Sequence, residues 1–133
     1  MKMRNTSLLP VSISALLLIA LFALSSNAFS SILIESEIEG APGIRYEKLR
    51  FETDHVTLDI VNMTSCNVKF SASMFFIDKK GRVVAEAGLL PKRIAANSSS
   101  SFKSFFVTGS AETAKRSDKI VWGPQVIMEV AYK

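Results

Sequence analysis

Apolar residues recur at every second position through most of the chain after Ile32, the rhythm of strands with one buried face, and no run keeps helical spacing. The longest set is Val68, Phe70, Ala72, Met74 and Phe76, opposed by Lys69, Ser71 and Ser73. Val56, Leu58 and Ile60 form a second, with Thr57 and Asp59 on the other side. Leu49 and Phe51 alternate with Lys48, Arg50 and Glu52 over residues 46–53, while Ile32, Ile34 and Ile38 share the parity of a short first strand. Further strands are expected over residues 82–90, 102–108, 120–122 and 126–132.

Turn formers separate these runs. Gly40-Ala41-Pro42-Gly43 breaks the chain early, and Asp78-Lys79-Lys80-Gly81 predicts a hairpin turn with Gly81 in the left-handed position. Pro91 is expected to stop the fifth strand, residues 98–101 to form a flexible serine loop, and Gly123-Pro124 to part the last two strands. A polar loop over residues 109–118 has room for one helical turn around residues 111–115. With no helix long enough for a βαβ crossover, about seven short strands predict an all-β, antiparallel sandwich; a small barrel is the alternative.

Residues 1–28 read differently. Lys2 and Arg4 lead into an apolar run over residues 8–24 that ends at Ser26-Asn27-Ala28, the plan of a secretory signal peptide. Its uninterrupted part, residues 15–24, would rise ~15 Å as a helix, about half a bilayer core. Cleavage is expected between Ala28 and Phe29, with Ser30 a second processing position. The alternative is an uncleaved leader anchoring the chain in the inner membrane. The organisation that follows is a signal peptide (1–28), an N-terminal strand and linker (29–44), and a sandwich domain (45–133).

Losing Lys2 and Arg4 halves the formal net charge of +4, so no pull toward nucleic acid remains. Roughly 105 residues are enough for one core and not for two. Cys66 is the only cysteine, which excludes an internal disulfide, and it is expected to be a small buried apolar side chain. His55 is the only histidine and shares a strand face with Thr57 and Asp59, too few ligands for zinc, so a solvated face is expected. Glu35, Glu37 and Glu39 lack the loop that wraps calcium and suit a charged sheet edge. Phosphate loops, dinucleotide fingerprints and serine-nucleophile elbows are missing from the sequence, and neither catalytic residues nor cofactors are expected.

The segment Leu58-Asp59-Ile60-Val61-Asn62-Met63-Thr64, followed by Phe75-Phe76-Ile77-Asp78-Lys79-Lys80-Gly81-Arg82-Val83-Val84, resembles the FxLYD-type domains of exported bacterial proteins. That resemblance implies an immunoglobulin-like β-sandwich acting as an adaptor or appended module, with no catalytic residues to carry over. Asn62 would then cap a strand end through its side chain, and Gly81 would close a hairpin.

Two surfaces are candidates for interaction. Lys79, Lys80 and Arg82, extended by Lys92 and Arg93, offer a basic patch for an anionic envelope surface or glycan. Phe75, Ile77, Phe105 and Val107 sit on outward parities; exposed together they form an apolar patch for a partner, and covered by a loop they are core. The expectation is a periplasmic or secreted, non-catalytic binding module with a protein or envelope partner, touching a membrane only through an uncleaved leader. The alternatives are a structural subunit of a surface assembly and a small metal-dependent hydrolase using His55.

Overall fold

The computed structural model describes residues 31–129, which form an all-β fold with one short helix. The strands are β1 (Ser36–Glu37), β2 (Ile44–Phe51), β3 (His55–Asn62), β4 (Asn67–Ile77), β5 (Val83–Ile94), β6 (Ser98–Thr108) and β7 (Lys119–Glu129). Helix α1 (Ala111–Lys115) precedes β7 and starts at Ser110, whose side chain accepts from the Thr113 amide. Among the described residues, no helix is long and apolar enough to cross a membrane.

All pairings are antiparallel, in the order β1-β2-β3-β6-β5-β4-β7. Four strands separate β2 from β7 in that order, so a flat sheet would hold them ~24 Å apart. Yet the rings of Tyr46 on β2 and Trp122 on β7 lie 5.3 Å apart. The sheet therefore curls until its two halves face each other across one core.

That core follows the two-residue period. Val56, Leu58 and Ile60 from β3 meet Val68, Phe70, Met74 and Phe76 from β4, all buried, with Phe102 of β6 edge-on to Phe70 at 6.2 Å. Each large side chain buried here contributes about 1.5–3 kcal/mol. Ile32, Ile38 and Ala41 from the N-terminal segment, and Ala114 of α1, belong to the same cluster.

Irregularities decide which residues leave it. In β2 the register jumps from Glu47↔Asp59 to Arg50↔Thr57, and Lys48 at the jump has φ 56°. This β-bulge lets Tyr46 and Leu49, three residues apart, both face inward. Ile34, expected inside, is 64% exposed: only Ser36 and Glu37 form regular strand there, so the alternation does not carry back to it.

Three breaks expected from the sequence are absent. β5 runs through Pro91 to Ile94 because Leu90 and Pro91 together oppose Ser71 in a bulge, where the missing N–H breaks no ladder. The serine run is not a loop but the first half of β6, with Ser98, Ser99, Ser100 and Ser101 paired to Asn62, Val61, Ile60 and Asp59. β7 is continuous through Gly123-Pro124, since among the described residues it pairs on one side only, with β4, and an edge tolerates proline.

Candidate functional site

The turn Ala95-Ala96-Asn97 joins β5 to β6, closed by a bond from the Ser98 amide to the Ala95 carbonyl, 3.2 Å. The two strands pair again only at Ala87↔Phe106 and Glu86↔Thr108. Between these points β6 stays with β3 while β5 stays with β4, so the sheet opens into a seam.

The bulge at Leu90-Pro91 sets what lies at this seam. It leaves Leu90 outward and 82% exposed, and it places Lys92 opposite Phe70, at an inward-facing register position. With no strand in its way, Lys92 reaches across, donating to the Ser101 carbonyl and setting its ammonium 4.5 Å from the centre of the Phe102 ring.

An open cleft of about 770 Å³ lies over the seam. Lys48 and Arg50 of β2 and Lys103 of β6 line it together with Lys92, and Leu90 and Pro91 form its apolar lip. The cross-strand pairs Arg50↔Thr57 and Thr57↔Lys103 put those two cations in one row, separated by a hydroxyl. Among the described residues Asp59 is the cleft's one carboxylate: Ser101 Oγ donates to its Oδ1 at 2.8 Å, and Lys48 Nζ lies 3.7 Å from its Oδ2. Positive charge exceeds negative, and the Lys48 side chain is 75% exposed.

Beside the cleft lies a second hollow of about 400 Å³, rimmed by Leu90, Phe105 and Val107. Its floor is Ser73 of β4 between Gly88 and Gly123, its partners on β5 and β7. Leu90 lines both hollows, and Lys103 Nζ stands 5.2 Å from the Phe105 ring centre.

The residues singled out from the sequence are scattered. Lys79, Lys80 and Arg82 sit at the tip of the β4–β5 hairpin, where Gly81 has φ 81°. Asp78 anchors that tip by accepting from the Arg82 and Lys80 amides, each at 2.9 Å, and from Arg82 Nε at 3.0 Å. The Arg82 amide foremost, then its guanidinium and the Lys80 amide, hold the Asp78 carboxyl below the usual carboxylate range. Ten residues of strand at ~3.3 Å each put Lys92 about 30 Å from Arg82, so no single basic patch unites them. Arg93 is engaged by Glu129 at 2.8 Å.

The expected apolar patch also divides. Ile77, whose carbonyl accepts from the Asp118 amide at the end of β4, is 8% exposed without joining the core cluster, and Phe75 is half-buried, which leaves Phe105 at 56% and Val107 at 70%. His55 faces outward with Thr57 and Asp59, its Nδ1 2.7 Å from Asp54 Oδ1 and its ring 5.4 Å from that of Phe105. That hydrogen bond is the main reason the Asp54 carboxyl lies low. Cys66 is half-buried, more exposed than expected. Glu35 pairs with Arg45 at 3.1 Å, and Glu37 lies across from Arg45 in the β1–β2 register. Ala28 and Phe29 lie outside the described residues.

Sequence reasoning missed Lys48, Arg50 and Lys103. Each stood on an outward parity, but nothing in the sequence aligned β2, β3 and β6 side by side. No protein-family model, curated protein or solved structure matches the chain.

Proposed function

We propose that this chain is an exported, non-catalytic interaction module, periplasmic or secreted, which recognises an anionic partner through the seam cleft. The curled sheet with one enclosed core is compatible with an immunoglobulin-like β-sandwich, and the FxLYD-type resemblance supports a role as an adaptor domain. The leader-like residues 1–28 support export.

One observation carries the binding reading. Lys48, Arg50, Lys92 and Lys103, drawn from β2, β5 and β6, converge on an open cleft where, among the described residues, only Asp59 balances them. Cations gathered in a concave surface raise the local concentration of anions and hasten their capture.

Retention of the chain from residue 29 onward on phosphocellulose tests this reading. Elution should need markedly more salt for wild type than for the triple variant Lys48→Gln, Arg50→Gln, Lys103→Gln, while Lys79→Gln with Lys80→Gln elutes with wild type. If both variants elute alike, the cleft is not the binding surface. Export is tested separately, by cell fractionation and by sequencing the N-terminus of the recovered protein, which should begin at Phe29.

A further inference from the structure

We infer that the cleft and the neighbouring hollow together form one docking surface for an anionic lipid, the headgroup on the cations and the acyl chain along the hollow. This rests on the cleft being the binding surface and names the class of its ligand.

The apolar part has the wrong character for a site that takes a bare anion. Leu90, Phe105 and Val107 are 82%, 56% and 70% exposed, and all three rim a hollow that opens beside the cationic cleft. Leu90 belongs to both walls, and Lys103 stands over the Phe105 ring, so charge and apolar surface adjoin at two points. Burying one methylene gains about 0.8 kcal/mol, comparable to one exposed ion pair, so a chain of several methylenes adds a term larger than the charge contacts alone supply. A ligand that satisfies both halves carries a negative head on a hydrocarbon tail.

A strand-forming acidic peptide fits less well. The seam is closed at one end by the Ala95-Ala96-Asn97 turn and at the other by the Ala87↔Phe106 pair, and Lys92 bridges its middle to the Ser101 carbonyl. An added strand has no open edge to follow there. Lys48 supplies an independent sign. It is held at φ 56°, a conformation costly for a residue with a Cβ, at the bulge that sets its side chain at the cleft.

Binding of dodecyl phosphate, kept below its micellar concentration, to the chain from residue 29 onward tests the inference against inorganic phosphate and dodecyl maltoside. Dodecyl phosphate should bind at least about tenfold more tightly than either. Leu90→Ser and the pair Lys48→Gln, Lys103→Gln should each remove most of that advantage. Lys79→Gln with Lys80→Gln should not. The lipid assignment is overturned if inorganic phosphate binds as well as dodecyl phosphate, if the neutral surfactant does so, or if the hairpin-tip variant weakens binding as much as the cleft variant. Polyglutamate displacing dodecyl phosphate at equal charge would point to an acidic peptide instead. Retention on phosphocellulose that depends on Lys48, Arg50 and Lys103 would survive tight binding of inorganic phosphate, of the neutral surfactant or of polyglutamate, whereas an equal effect of the hairpin-tip variant would overturn the cleft as well.

Discussion

Asn62 is fully buried at the end of β3, where its amide nitrogen donates to the carbonyls of Cys66, Ile94 and Ala95 at 2.8, 3.2 and 3.2 Å. Its oxygen accepts from the Thr64 amide and hydroxyl, tying the β3–β4 turn to the end of β5. Asn62→Ala leaves buried carbonyls unpaired and should cost about 3 kcal/mol in urea unfolding; a loss under about 1 kcal/mol would deny it this role. Lys48 presents the opposite case. Lys48→Gly relieves the positive φ but gives up an exposed ion pair and adds freedom to the unfolded chain, so it should leave stability within about 1 kcal/mol of wild type while weakening anion binding. Lys48→Ala, which loses the same ion pair and keeps a Cβ at that φ, should be the less stable of the two variants; equal stability would show that the conformation carries no strain. Asp78 sets a pH dependence. Its carboxyl is held low in the folded state, so its stabilisation is complete above the unfolded value, ~3.9, and is lost as pH falls through the lower folded value. Asp78→Asn should therefore lose stability less steeply than wild type below about pH 4, followed by urea midpoints across that range.

At the scale of elements, strands with a clean alternation were legible in the sequence and those bent by an irregularity were not. β3 and β4 declared themselves through Val56-Leu58-Ile60 and Val68 to Phe76, and the 78–81 turn and the short helix fall where expected. Pro91, the serine run and Gly123-Pro124 misled because each is read locally as a breaker, whereas a bulge, a paired partner strand and a sheet edge make each compatible with strand. The seam cleft was hidden for a related reason: it depends on where β5 and β6 separate, which pairing alone determines. Gly109 is a further hidden constraint. It has φ 74°, and a Cβ there would lie 2.4 Å from the Val84 carbonyl oxygen and 2.7 Å from Ala85. Gly109→Ala should force β5 and the start of α1 apart and destabilise the fold by about 3 kcal/mol, read by thermal unfolding. A near-wild-type midpoint would place that loop further from β5.

For the molecule as a whole, β7 leaves one edge without a strand partner among the described residues, with Val121 and Ile127 44% and 60% exposed. Pro124 interrupts the donors along that edge, as natural sheets do to discourage pairing between copies. The chain from residue 29 onward should run as a monomer in size exclusion at several concentrations, and Pro124→Val should shift it toward dimer; a wild-type dimer would favour a structural subunit over a solitary module. The proposed binding surface rests on the cleft rather than on that edge, because Lys48, Arg50, Lys92 and Lys103 come from three strands into one concavity. Amide chemical-shift mapping with dodecyl phosphate locates the bound ligand directly. The expected result is a continuous set of perturbed amides running from Lys48, Arg50 and Lys103 across Leu90 to Val107. Perturbation centred on Lys79 and Lys80, or none at all, would contradict the seam as the binding surface.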